Sequence, residues 1–178
     1  MTPPRPAASL QLTRPRNQHG ELMRPLEEAA LLILAAQREG NRLMAAALRP
    51  LGVTPAQAEV LQVLADRQPL TLTGLGELLV CESGTNPSRL IDRLVTAGLV
   101  RRAESGQDRR QVELSLTSAG RGKARQIDGI KNQMYQLMDG AGADYDIQQV
   151  LGYLRALVQG RPSGLAIDRR TGRQPHTS

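Results

Sequence analysis

The segment ESGQDRRQVELSLTSAG, residues 104–120, sets polar chemistry beside an alternating apolar pattern. Asp108, Arg109 and Arg110 stand in a polar loop. Val112, Leu114 and Leu116 then alternate with Glu113, Ser115 and Thr117, the period of a half-buried strand. Residues 99–104 form a second strand-like piece, so the two arginines fall at the tip of a predicted β-hairpin. A guanidinium is a permanently charged, planar fork of N–H donors that matches phosphate and base edges. The same chemistry recurs just upstream in NPSRLIDRLV. At helical spacing Leu90, Ile91, Leu94 and Val95 share one face, while Asn86, Arg89, Asp92, Arg93 and Thr96 share the other. Arg and Asn can make bidentate contacts with guanine and adenine edges, worth about 1–3 kcal/mol of discrimination each. Ser83, Thr85 and Ser88, in the lead-in and first turn, suit hydrogen bonds to phosphate or bases. The helix start is open by one turn: Asn86 caps with Pro87 at the first position, or Ser83 caps with Pro87 at the fourth.

Other segments must hold that helix and hairpin in place. Residues 1–24 are rich in Pro, Arg, Gln and Asn and read as a flexible basic tail. Pro25 fits the first position of a helix, with Glu27 and Glu28 in its first turn, running to about Leu48 before Pro50 and Gly52 end it. The early part of this helix is apolar around most of its circumference, so it must be covered on more than one side, by a core or by a partner chain. Thr54, Pro55 and Gln57 open a second helix with a capping box, and Pro69 lies just past its end. TLTGLGELLV predicts a short third helix capped by Thr73, and the fourth is the arginine-bearing helix, ended by Gly98. After the hairpin, Ser118 is expected to cap a fifth helix reaching about Asp139, with Gly140 and Gly142 breaking the chain. Asp146 and Gln149 open a sixth, stopped by Gly160 and Pro162, and residues 161–178 read as a flexible basic tail. The expected fold is mainly α with a small β-hairpin wing (α+β), a winged helix-turn-helix of about six helices.

Composition narrows the function. The 178 residues hold three Tyr and no Phe or Trp, so the core must be aliphatic, which favours helices. The core is the expected place of Tyr135, Tyr145 and Tyr153, a ligand pocket being the other reading. No apolar run approaches the roughly 20 residues of a membrane span, and the N-terminal stretch lacks the apolar region of a secretory signal. With the single cysteine, Cys81, this predicts a cytoplasmic protein without intrachain disulfides. Within the net charge of +6, residues 88–125 hold nine basic side chains against four acidic ones, a local excess that suits a polyanion. His19 and His176 both lie in the tails, leaving no zinc constellation. Nothing resembles a catalytic triad, a phosphate-cradling loop or a paired carboxylate site. The reading is therefore not an enzyme, and no cofactor is expected.

The stretch SRLIDRLVTAGLVRRAESGQDRRQVELSLTSAG closely resembles the signature of the MarR-type transcriptional regulators. Ser88 through Leu94 match that family's recognition helix. Gly98, Leu99, Val100 and Arg102 match the segment after it, and Asp108, Arg110, Leu114, Leu116, Thr117 and Gly120 match its wing. The resemblance implies a MarR-like domain over 25–160, with a DNA-binding lobe at about 54–120 and dimerisation helices at about 25–49 and 118–160. It implies a homodimer on double-stranded palindromic DNA, the fourth helix in a major groove and the wing in a minor groove, and a small-molecule effector that releases a repressor. Arg110 is then the wing-tip arginine, Asp108 pairs with and orients it, and Arg109 contacts phosphate. Cys81 does not match redox-sensing relatives, whose cysteine lies in the first helix. A buried thiol is expected, a switch beside the DNA-reading helix being the alternative. The competing reading is a winged-helix protein-interaction module with no DNA target.

Overall fold

The computed structural model describes residues 24–80, 87–104 and 111–173. It divides into two units, Met1–Leu43 and Met44–Ser178, each described by itself. In the first unit the described residues form most of helix α1 (Pro25–Leu48). Its first turn is tied by the Arg24 guanidinium donating to the Glu27 carboxylate at 2.9 Å. That bond, with one to the Arg24 backbone, holds the Glu27 carboxyl below its ordinary value. Leu26, Leu31, Leu32, Leu34 and Leu43 are exposed, Leu32 at 61%.

The second unit is built around helix α2 (Pro55–Arg67). Its start follows the expected capping box: the Thr54 hydroxyl accepts the Gln57 N–H at 3.3 Å, and the Gln57 side chain accepts the Thr54 N–H at 2.9 Å. Val60, Leu61 and Leu64 are fully buried against Leu48, Leu75, Ile91, Leu94, Leu114, Leu116 and Ile127. Burying such an aliphatic side chain contributes about 1.5–3 kcal/mol, which is how a lobe without Phe or Trp holds together. The one buried polar side chain among the described residues, Gln62, donates to the Ala124 carbonyl at 2.8 Å and so fixes α2 against α5 (Ser118–Gly142) without an unsatisfied group.

A two-residue strand β1 (Leu70–Thr71) precedes the short helix α3 (Leu72–Gly76). After α4 (Pro87–Thr96) come β2 (Val100–Glu104) and β3 (Val112–Leu116). The antiparallel sheet has the order β1-β3-β2, pairing Leu70 with Leu114 and Val100 with Leu116. The hairpin was expected; β1 was not, because two residues carry no readable period. Leu114 and Leu116 face the core as the alternation predicts, whereas Val112, at the far end of β3, is exposed.

Two caps differ from expectation by one or two residues. Thr71, not Thr73, caps α3 by accepting the Gly74 N–H at 3.1 Å. Thr117, not Ser118, caps α5 by accepting the Gly120 N–H at 3.0 Å. In both cases the earlier hydroxyl carries the extended backbone that a cap needs. Helix α5 runs past Asp139 through Gly140 to Gly142, since an isolated glycine costs a helix about 1 kcal/mol and does not forbid it. Asp146 caps α6 (Ile147–Val158) as expected, accepting from Gln148 and Gln149.

The largest difference lies past α6. Residues from 161 read as a flexible tail, yet Pro162–Thr171 form a further helix, α7, with Gly164 and Ala166 buried. Pro162 starts it, Gly172 ends it in the left-handed conformation, and Gly164 lies so close to the Val158 carbonyl that no side chain fits there. The tyrosines also differ: Tyr135, Tyr145 and Tyr153 are exposed, because aliphatic side chains fill the lobe's core. No helix of the described residues is long and apolar enough to cross a membrane.

Gly120 sits where α5 meets the backbone of Leu99, and a Cβ there would collide with the Leu99 carbonyl oxygen. Gly120→Ala is expected to cost about 2–3 kcal/mol of stability, read as a lower urea midpoint. An unchanged midpoint would show that this approach does not constrain the fold.

Candidate nucleic-acid interface

Helix α4 is held by its apolar face and presents the other. Leu90, Ile91 and Leu94 are buried, while Arg89, Asp92, Arg93 and Thr96 are exposed and Ser88 is half-buried. The separation of faces matches the periodicity read from the sequence. Pro87 is the first residue of α4; the residues before it, including Cys81, Ser83, Thr85 and Asn86, lie outside the described residues, so the two capping alternatives are not distinguished. Asp108, Arg109 and Arg110 also lie outside them, between the described ends of β2 and β3.

The helix ends where the hairpin begins. Gly98 adopts φ +69, a conformation costly for any side chain with a Cβ. The Leu99 N–H returns to the Leu94 carbonyl at 2.9 Å and the Gly98 N–H to Val95 at 2.9 Å, a Schellman closure. The Thr117 hydroxyl then donates to the Gly98 carbonyl at 2.7 Å while accepting the Gly120 N–H. One side chain thus joins the end of α4, the base of the hairpin and the start of α5. Farther along, Arg102 on β2 donates to the Asp92 carboxylate on α4 at 2.7 Å, tying strand to helix a second time. Sequence reasoning placed Asp92 only on a polar face and missed this partner, which pairing across elements alone reveals.

The basic residues of 88–125 are not equivalent. Arg102 is committed to Asp92. Arg121 donates to the Leu116 carbonyl at 2.9 Å, and Lys123 to the Leu51 carbonyl at 2.9 Å. Arg89, Arg93, Arg101 and Arg125 are exposed and form no ion pair among the described residues. Among the described residues of this window, the outward charge is thus carried mainly by α4, the outer strand and the flank of α5. Chemically this surface offers guanidinium donors to an anion; among the described residues no group of three His, Cys, Asp or Glu side chains is placed to hold a metal.

Because both members of the Arg102–Asp92 pair are substantially exposed, Arg102→Ala is expected to change unfolding free energy by less than about 1 kcal/mol in urea titrations. A loss of several kcal/mol would make the pair a determinant of the fold rather than of α4's local placement.

Comparison with known proteins agrees with this architecture. A model of the MarR family matches residues 51–111, the stretch running from the start of the lobe into the wing. The organic hydroperoxide resistance transcriptional regulator of Bacillus subtilis is 32% identical over 93 residues, covering 52% of this chain and 63% of its own length. The HTH-type transcriptional regulator TtmR of Methylorubrum extorquens is 40% identical over 76 residues, covering 43% of this chain and 38% of its own. The chain therefore spans less than two thirds of either curated relative. Among solved structures, a cysteine-to-serine mutant of MarR from E. coli complexed with operator DNA superposes with a TM-score of 0.61 at 28% identity, covering 75% of this chain and 94% of that one. The recognition-helix and wing sequence, the three-stranded sheet beside α4 and these matches together support a MarR-type winged helix-turn-helix protein.

Proposed function

We propose that this protein is a sequence-specific, double-stranded-DNA-binding transcriptional regulator, a repressor acting in the cytoplasm and released from a palindromic operator by a small-molecule effector. One observation carries the reading: α4 locks Leu90, Ile91 and Leu94 into the core and turns Arg89 and Arg93 outward beside a hairpin. Similarity to a MarR structure holding operator DNA supports it. In this reading α4 enters a major groove, with Asn86, Arg89 and Arg93 toward base edges and Ser83, Thr85 and Ser88 toward phosphates or bases. Arg110, oriented by Asp108, enters the minor groove, and Arg109 meets phosphate. Family kinship speaks for a regulator and against an enzyme.

The test is fluorescence anisotropy on a duplex from the gene's own upstream region, against scrambled DNA, through a salt series. Arg89→Ala is expected to weaken specific binding about 5- to 150-fold, the scale of one lost bidentate contact, with Arg110→Ala acting in the same direction. Weak, equal binding to both duplexes, followed by random-site selection without enrichment, would favour a protein-interaction module instead.

Exposed apolar side chains support a homodimer. Ile147, Val150, Leu154 and Leu157 on α6 are exposed in the single chain, and exposed apolar side chains along one helix mark an interaction surface; on α1, taken by itself, Leu31, Leu32 and Leu34 are exposed as well. Light scattering is expected to give twice the chain mass, and Leu154→Asp to shift it toward monomer. A monomeric wild type at micromolar concentration would remove the dimer from the reading.

A second reading, oxidant control through Cys81, draws on the name of the B. subtilis relative. Reversible loss of DNA binding with an organic hydroperoxide, abolished in Cys81→Ser, would establish it; an unaffected wild type would dismiss it.

A further inference from the structure

Helix α5 carries the chain away from the lobe, and α7 brings it back. Gly120, Ala124 and Ile127 are the buried residues of α5, and Ile130 packs partly against the same core. Beyond them Tyr135, Leu137 and Met138 are exposed, and α6 buries no residue within the single chain. The return is rigid at the corner between α6 and α7. Gly160 turns the chain at φ +69 and Pro162 starts α7. The Arg161 N–H donates to the Val158 carbonyl at 3.1 Å, and Gly164 lies against that same carbonyl. The far end of α7 is fastened to the lobe. Arg67, at the end of α2, donates to the Arg170 carbonyl in the last turn of α7 at 3.0 Å, where the helix dipole favours a cation. Arg170 donates to Glu59 on α2 at 2.7 Å, in a pair whose side chains are 30% and 9% exposed. Arg169 donates to the Glu77 carbonyl just past α3 at 3.3 Å and lies 3.6 Å from its carboxylate.

We infer that α7 is a strap that sets the lobe against the arm formed by α5 and α6. A lobe joined to that arm by α5 alone is free to swing about the point where α5 leaves the core, beyond Ile130. A second connection, rigid at its corner and held by guanidinium bonds at its end, closes the ring α2–α5–α6–α7. Two attachments at different points fix an angle that one attachment leaves open. The strap is also releasable. The lobe's core cluster includes no residue of α7, so α7 can let go while the lobe stays folded. Its fastenings are polar and partly exposed, and an exposed pair such as Arg169–Glu77 holds only weakly by itself. The inference concerns the setting of the lobe and is independent of what α4 binds.

The experiment uses the full chain in a Cys81→Ser background. Nitroxide labels are placed through Ala97→Cys, at the end of α4, and Gln148→Cys, on α6, both exposed positions. Labelled chain is diluted in excess unlabelled chain, so that double electron-electron resonance reads the distance within one chain. The unmutated strap is expected to give one narrow distance distribution. The double variant Arg169→Ala with Arg170→Ala is expected to widen it about twofold. Arg169→Lys with Arg170→Lys, which keeps a cation toward each carboxylate, is expected to leave it nearly unchanged. Gly164→Ala, which disturbs the corner instead of the fastening, is expected to shift or widen it as well. Hydrogen exchange of the amides at 165–171 is expected to rise about tenfold in the alanine variant, while those of α2 keep their protection. Circular dichroism melts check folding; if the double alanine variant does not fold, Arg67→Ala, which removes only an exposed fastening, carries the comparison.

An unchanged distribution alongside faster exchange in α7 would overturn the inference, because α7 would have let go without moving the lobe. Unchanged distribution with unchanged exchange would overturn it too, since the arginines would not be what holds α7. A distribution already as broad with the strap intact as in the variants would mean that α7 sets no angle.

Discussion

The Thr117 hydroxyl is the joint on which the rest of the lobe depends. It accepts from the first turn of α5, donates to the last turn around α4, and stands at the foot of β3. The joint works only because its neighbours yield space. Gly98 turns the chain through a left-handed residue, and Gly120 lets α5 lie against the Leu99 carbonyl. A hairpin leaving a helix end at a fixed angle is what makes a wing. Here that angle is set by backbone closeness and one hydroxyl, since the sheet itself is only three short strands.

Given this joint, the allocation of charge follows. An arginine-rich chain has to spend many of its cations on structure. Arg102 joins β2 to α4, Arg121 and Lys123 satisfy carbonyls at Leu116 and Leu51, and Arg169 and Arg170 fasten α7. What faces outward from α4 is therefore a selected remainder, Arg89 and Arg93, rather than a diffuse basic coat. A long-range positive field steers any polyanion, whereas a few guanidinia on a rigid helix can discriminate among base edges. The structure separates the committed arginines from the outward-facing ones residue by residue, which net charge could not do.

The sequence was most legible where a period or a cap is local. The alternation at Val112–Thr117 located β3, the 3.6-residue spacing at Leu90–Val95 located the buried face of α4, and Thr54 with Gln57 located the start of α2. It was least legible where a pattern is short or a partner is distant. Strand β1 is two residues long, and the choice between Thr117 and Ser118 rests on backbone angles that residue type does not carry. Helix α7 hid behind Arg, Gly and Pro, a composition that suggests disorder until Glu59 and Glu77, about a hundred residues away in sequence, supply its counterparts. Arg109 and Arg110 were legible only as a motif, and lie outside the described residues.

The placement of the aromatic side chains has an optical consequence. With no tryptophan in the chain, near-ultraviolet absorption and emission come from Tyr135, Tyr145 and Tyr153 alone. All three lie along α5, α6 and the link between them, at 50%, 71% and 41% exposure, while the lobe that carries α4 is packed with colourless aliphatic side chains. Intrinsic fluorescence of this protein therefore has no reporter among the buried side chains of the lobe's core. It reports instead on whatever covers or uncovers α5, α6 and the link between them, a label-free signal confined to those segments.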